Sequence, residues 1–271
     1  MPTAIGCLVA AALLMVLAPW LLARGNWQVA RPRLALGAWF TALFTGLALV
    51  AAALVGTVLA ATSLAVAADS GRAGGGALVT VVAWVSLTGA GAFIGLVSGL
   101  SQPLVDSYRR SLRRLSPVAT AREDRGAFTL VRFNSEEFLA VAVPGRRPEI
   151  LLSSALEAHL TPEQLRAVLA HEYAHLRHRH GLAVRIAELN ALCLPRWVPA
   201  GNALRRATLL LVELAADDVA AGQAGARTLA GALSRIGQAT HDPGLELRAA
   251  RLQAFRSDAT QPCGLPLPVR I

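Results

Sequence analysis

The sequence predicts a membrane protein of α-helices followed by an α+β domain with a small β-sheet. Hydrophobic residues make up 54% of the 271 residues and charged residues only 16%, a low charge content for a soluble protein. Long uncharged segments fill the N-terminal part, whereas the rest alternates helix-like and strand-like patterns. We therefore expect a transmembrane region over residues 1–105, a folded domain over 106–256 and a disordered tail over 257–271.

Three apolar segments are long enough to cross a bilayer. They lie at about 3–23, 36–60 and 77–100, and each reaches the roughly 20 residues that a membrane helix needs. Three such segments in succession favour membrane helices over the buried helices of a soluble core. The lipid bilayer is therefore an expected partner of the chain.

The arginines predict the orientation of these helices. Arg24, Arg31 and Arg33 lie between the first two apolar segments, and six more arginines follow the third, at positions 109, 110, 113, 114, 122 and 125. Positive residues favour the cytoplasmic side of a membrane. We expect a multi-pass protein of the inner or plasma membrane, with its N-terminus outside and the domain over 106–256 in the cytoplasm.

The net charge of +9 does not predict nucleic-acid binding. All 26 basic residues are arginine, and many lie beside apolar segments, where anionic lipid headgroups attract them. No basic patch with interleaved aromatic residues is present in the sequence. We expect no nucleic-acid partner.

Between residues 127 and 152 the pattern changes to short strands. We predict strands over 128–133, 138–143 and 149–152, with a turn at 134–137 between the first two. An edge strand of this small sheet would pair with an extended peptide, or the sheet would only support the helix that follows.

The next helix has clear start and stop signals. Thr161 is a suitable N-cap, Pro162 suits the first helical position, and Gln164 stands three residues after the cap. Gly181 is expected to end the helix.

This helix carries the pattern His171-Glu172-x-x-His175. Residues four apart share a helix face, so both imidazoles can reach one metal ion. Glu172 then lies beside an open coordination position, where it can take a proton from water. The alternative is a surface helix that carries these three residues by chance.

A second helix offers a third ligand. Glu213 and Asp217 are four residues apart in an apolar stretch, so they share a face. Glu213 could complete the metal site, and Asp217 could accept a hydrogen bond from the free ring nitrogen of a ligating histidine. The alternative is a pair of solvated acids, which the apolar surroundings of Glu213 disfavour.

The two motifs together resemble those of the integral-membrane gluzincin metallopeptidases. His171-Glu172-x-x-His175 followed by Glu213-Leu-Ala-Ala-Asp217 is similar to two families, the BlaR/MecR-type antirepressor peptidases and the HtpX/CAAX-protease-like peptidases. Pro195-Arg196-Trp197-Val198-Pro199 resembles a tryptophan–proline turn of the first family, which makes it the preferred one. By its motifs the resemblance covers about residues 110–240.

The resemblance implies a zincin-like fold and a membrane-bound zinc metalloendopeptidase that hydrolyses peptide bonds of cytoplasmic or membrane proteins. It implies that His171, His175 and Glu213 bind Zn²⁺, that Glu172 is the general base, and that Asp217 orients a ligand histidine. No other cofactor is implied. The expected partner is a protein or peptide substrate.

The two families imply different roles. One is regulatory proteolysis of a transcriptional repressor, and the other is quality control or processing of proteins. A non-catalytic scaffold with a metal site is a third hypothesis, disfavoured because a structural site needs no base such as Glu172. The sequence has no apolar segment after the Glu213 helix, so the sensor of the antirepressors is not implied.

The remaining segments complete the prediction. Residues 182–212 are expected to form a helical hairpin turned at Pro195–Pro199, on the membrane surface or dipping into it. One or two helices over 225–256 are expected to close the domain. The candidates for a donor to the oxyanion are nearby arginines and His178, His180 and His241, with the first two histidines expected to be solvated.

Overall fold

The computed structural model describes residues 2–69, 80–89, 91, 95 and 119–254. The chain divides into two compact units. The first comprises Met1–Val105 and Ile186–Thr208, and the second comprises Asp106–Arg185 and Leu209–Ile271. The predicted tail over 257–271 lies outside the described residues, as do the four arginines at positions 109, 110, 113 and 114.

Two long apolar helices dominate the described part of the first unit. Helix α1 spans Pro2–Leu22, a short helix α2 spans Trp27–Ala30, and α3 spans Pro32–Asp69. Helices α1 and α3 pack against each other, yet only 6% of each apolar window is buried. By length and composition alone, both helices are long and apolar enough to cross a membrane.

Among the described residues, two helices rather than the three predicted are long and apolar enough to span a membrane. In the predicted segment 77–100, the described apolar helix is α4, which covers Thr80–Gly89. Nearly all the other residues of that segment lie outside the described part.

A helical hairpin follows the predicted pattern. Helix α7 spans His180–Cys193 and α8 spans Pro199–Ala224, and the chain reverses between them at the proline-rich turn. Gly201 permits close packing there, since a Cβ at this position would lie 2.9 Å from the Cα of Ala191. Both residues belong to the first unit.

A four-stranded sheet lies in the second unit. Its strands are β1 (Ala119–Asp124), β2 (Thr129–Phe133), β3 (Ala140–Val143) and β4 (Glu149–Ser153). The order across the sheet is β1-β2-β4-β3, with β2 and β4 parallel and the other two pairs antiparallel. Strand β1 was not predicted, because its polar and exposed sequence lacks a strand pattern.

The turn predicted at 134–137 does not join neighbouring strands, because β4 lies between β2 and β3. Strands β2 and β4 have buried apolar residues on both faces, as central parallel strands usually do. Leu130 and Ile150 face one core cluster, whereas Val131 and Leu151 face another. The half-buried β3 takes the edge.

Four further helices complete the described part of the second unit. They are α5 (Ser154–His159), α6 (Pro162–Arg177), α9 (Ala226–Thr240) and α10 (Pro243–Ala254). Helix α6 packs on the sheet through Val168 and Leu169, next to Leu152 and Leu156. Of the one or two closing helices expected over 225–256, two are present, and the chain breaks between them after Thr240.

Helix α6 begins where the sequence predicts. The Thr161 hydroxyl accepts a hydrogen bond from the Gln164 N–H, and the Gln164 side chain accepts one from the Thr161 N–H. The predicted stop at Gly181 is wrong. Helix α6 ends at Arg177, and the left-handed φ of +52° at Arg179 turns the chain into α7 before the glycine is reached.

We expect Thr161→Ala to lower the free energy of unfolding by about 1 kcal/mol, because the first turn of α6 loses its cap. Chemical denaturation of the full chain in detergent measures this change. Thr161→Ser keeps the hydroxyl and serves as the control. Equal stability of the alanine variant and the wild type would contradict a role for the cap.

Candidate metal centre

Helices α6 and α8 bring the three predicted metal ligands together. His171 and His175 lie one turn apart on α6, with their Nε2 atoms 3.1 Å apart. Glu213 on α8 places Oε2 3.4 Å from Nε2 of His171 and Oε1 3.5 Å from Nε2 of His175. Each residue thus directs a donor atom to a common point.

These separations fit a zinc ion. Tetrahedral zinc with bonds of about 2.0–2.2 Å requires ligand atoms about 3.3–3.6 Å apart. The observed separations of 3.1, 3.4 and 3.5 Å are close to this range. Two imidazoles and one carboxylate also form a donor set that zinc prefers, and they leave a fourth position for water or substrate.

Asp217 lies one turn after Glu213 on α8 and contacts the other side of the His171 ring. Its Oδ1 is 3.0 Å from Nδ1 of His171, and its side chain is completely buried. A carboxylate at this distance favours the tautomer with its proton on Nδ1, which leaves Nε2 of His171 for a metal. The 3.0 Å distance brings the two groups together as predicted, and the orienting role of Asp217 stays a prediction.

Glu172 is held by the edge strand of the sheet. The N–H of Ala142 on β3 donates a hydrogen bond of 2.8 Å to Oε2 of Glu172. Burial raises the pKa of the Glu172 carboxyl to about 7, despite the opposing effect of nearby His171. A carboxyl with a pKa near 7 can both take up and release a proton at neutral pH.

Arg248 on α10 is the residue that sequence reasoning missed. Its guanidinium donates to both carboxylate oxygens of Asp217, at 2.7 and 2.8 Å, and lies 2.9 Å from Oε2 of Glu213. The Nη2 atom of Arg248 is also 3.4 Å from Nε2 of His171. The predicted closing helix contained Arg248, but no local pattern indicated which residue would reach the site.

The charges of the site are strongly coupled. Burial would raise the pKa of Glu213 and of Asp217, but His171 and Arg248 lower both values to about 2. Burial alone would lower the pKa of His171, yet Asp217 and Glu213 raise it to about 9. Burial and the His171 charge lower the pKa of His175 to about 4. In the metal-free protein at neutral pH, His171 is therefore protonated and His175 is neutral.

The three histidines considered as oxyanion donors have different positions. His178 is exposed, and His241 is exposed at the end of α9. The expectation that His180 is solvated is wrong, since it is only 5% exposed and its Nδ1 lies 3.2 Å from Nδ1 of His175. The turn at Arg179 directs His180 inward.

Comparison with known proteins gives one family match, over a segment that contains the candidate site residues. Residues 105–236 match the family model described as Peptidase family M48. This match supports a metallopeptidase of the M48 family. It does not separate the antirepressor-like from the HtpX/CAAX-like resemblance, and both stay predictions. The chain matches no curated protein and no solved structure.

We expect Glu213→Ala to weaken zinc binding, because it removes a direct donor to the metal. Loss of a residue that only orients a ligand costs roughly 10- to 100-fold in affinity, and the loss here should be larger. Competition with a chromophoric chelator measures the affinity. Asp218→Asn is the matched control, because Asp218 lies on the same helix and pairs with Arg251 instead. Unchanged zinc affinity in Glu213→Ala would mean that another group is the third ligand.

We also expect zinc binding to release about one proton at pH 7. The raised pKa of His171, about 9, keeps its ring protonated in the metal-free protein, and zinc has to displace that proton. Apparent affinity should therefore rise by roughly tenfold per pH unit between pH 6 and 8. Calorimetry in buffers of different ionisation enthalpy counts the released protons. A count of zero would show that His171 is neutral before zinc binds.

Proposed function

We propose that this chain is a membrane-anchored zinc endopeptidase that cleaves extended segments of protein substrates. The observation that carries the proposal is the convergence of His171, His175 and Glu213 at separations that suit tetrahedral zinc. Glu172, next to this point on α6, has the character of a catalytic base. A purely structural metal site would have no use for such a carboxyl.

The side chains of His171, His175 and Glu213 indicate how a metal would be bound. Two imidazole nitrogens and one carboxylate would hold it, with one position left open. Zinc, when bound, supplies a Lewis acid that polarises the scissile carbonyl and lowers the pKa of a water molecule. All other functions of the site fall to side chains of this chain.

Glu172 moves the proton. Its pKa of about 7 allows the carboxylate to accept a proton from the attacking water and then to donate it to the leaving amine. The hydrogen bond from Ala142 N–H fixes Oε2, so that Oε1 is the oxygen available for this transfer. Burial of the carboxyl supports the proposal, because a solvated glutamate would stay ionised at neutral pH.

Arg248 keeps the ligands in place. It contacts both Glu213 and Asp217, so its guanidinium ties together a metal ligand and the carboxylate behind His171. Three carboxyl groups crowd this site, and a fixed positive charge reduces their mutual repulsion. We infer that Arg248 holds Glu213 ready for the metal.

Strand β3 offers a place for the substrate backbone. It is the last strand in the sheet order, and its Ala142 N–H points toward Glu172. An extended peptide that pairs with this edge would pass beside the base and the metal ligands. This arrangement supports a preference for unfolded or extended segments over folded substrates.

The first unit supports anchoring in a membrane. Helices α1 and α3 are apolar over 20 and 29 residues, lengths that a bilayer requires. Arg24, Arg31 and Arg33 lie in and around the short connection between them, which favours a cytoplasmic location for that connection. With the third crossing predicted over 77–100, the catalytic residues would face the cytoplasm, where protein substrates and membrane proteins are both accessible.

We expect Glu172→Gln to lower hydrolysis of an unfolded protein such as casein by at least about 100-fold, because the amide cannot accept the water proton. Zinc should stay bound, since Glu172 is not a ligand. Glu163→Gln, an exposed acid on the same helix, is the matched control. The measurement uses the zinc-loaded full chain in detergent. Cleavage by Glu172→Gln at the wild-type rate would show that another group is the base.

A further inference from the structure

The two histidines of the metal site are supported by different partners. Asp217 lies behind His171, as described above, whereas no carboxylate oxygen has a described contact with Nδ1 of His175. Instead, Nδ1 of His175 lies 3.2 Å from Nδ1 of His180. The two rings meet edge-on, with an interplanar angle of 86° and centroids 4.9 Å apart.

The backbone places His180 at this position by an unusual turn. His175 and His180 are five residues apart, a spacing that puts side chains on different faces of a continuous helix. Helix α6 ends before this point, and Arg179 adopts a left-handed φ of +52°, which is uncommon for a residue other than glycine. As a result, the first residue of α7 folds back and is buried against His175.

The position of the proton on each ring determines whether His175 or His180 donates the hydrogen bond. If Nε2 of His175 binds a metal, the neutral ring carries its proton on Nδ1, and that proton needs an acceptor. His180 can accept it on Nδ1 only if its own proton is on Nε2. The opposite direction would leave a proton on Nε2 of His175 and block coordination.

We propose that His180 is a positioning residue that orients His175 and fixes the tautomer in which its Nε2 is free to bind the metal. This inference deepens the proposed function, because it concerns a ligand of the proposed zinc site. The neutral imidazole does this without adding negative charge beside Glu172, Glu213 and Asp217. The two ligand histidines are thus supported by a carboxylate on one side and by an imidazole on the other.

The test compares two substitutions of His180 in the full chain in detergent. His180→Phe keeps a ring of similar size but has no acceptor, whereas His180→Asn is smaller and keeps an acceptor oxygen. We expect zinc affinity to fall by roughly 10- to 100-fold in His180→Phe and to be largely restored in His180→Asn. The visible spectrum of the Co²⁺-loaded protein should change in His180→Phe, because the His175 ring is reoriented.

His178→Phe is the matched control. His178 stacks on His180 with ring centroids 5.7 Å apart, but it is exposed. Its substitution should leave zinc affinity and the Co²⁺ spectrum unchanged. Wild-type affinity in His180→Phe would overturn the proposal. Equal loss in His180→Phe and His180→Asn would also overturn it, since packing rather than an acceptor would then be responsible.

A second measurement covers the case in which His180→Phe fails to fold. Nitrogen NMR of the zinc-loaded wild type, labelled at histidine, reports which ring nitrogen carries each proton. The proposal requires a proton on Nδ1 of His175 and on Nε2 of His180. A proton on Nδ1 of His180 would overturn it. Absence of zinc binding by the wild type would instead overturn the proposed function itself.

Discussion

The buried carboxylate of Asp217 is the constraint on which the site depends. It is completely enclosed, yet it carries a negative charge, so it requires cationic partners within reach. Arg248 supplies two charge-assisted hydrogen bonds, and His171 faces the same carboxylate. Through this one group the structure joins α6, α8 and α10. Removal of Arg248 would take two charge-assisted hydrogen bonds from this buried charge and leave His171 as its remaining cationic partner.

The same constraint places the donors for the metal. Because Asp217 fixes one side of the His171 ring, the other side faces Glu213, one helical turn away on α8. Helix α6 is in turn fixed by its capping box and by its packing on the sheet. The edge strand β3 then holds Glu172 through Ala142. Each residue of the candidate site is thus supported by an element that is itself buried or hydrogen-bonded.

Local spacing explains how much of the site could be predicted from the sequence. The pairs His171–His175 and Glu213–Asp217 are each four residues apart, so helix geometry alone puts each pair on one face. Arg248 could not be predicted in this way, since it is 31 residues from its partner Asp217. The buried position of His180, a residue expected to be solvated, was not predicted, for a different reason. Its position depends on a left-handed residue, and Arg179 gives no glycine-like signal for one.

For the fold, too, features set by neighbouring residues were predicted, whereas pairings between distant residues were not. The strands β2, β3 and β4 were predicted from apolar patterns, but their order was not, because the parallel pairing of β2 with β4 depends on which strands are buried on both faces. The capping box of α6 is a local signal and was predicted. Within the third predicted membrane segment, 77–100, the structure describes the apolar helix Thr80–Gly89.

The proposed function requires that two imidazoles and one carboxylate bind a single zinc ion. X-ray absorption at the zinc edge, combined with elemental analysis of the purified full chain, measures this binding. We expect one zinc per chain with nitrogen and oxygen neighbours at about 2.0–2.2 Å, including the scattering pattern of two imidazoles. Zinc bound by sulfur at about 2.3 Å, or no stoichiometric zinc after loading, would contradict it.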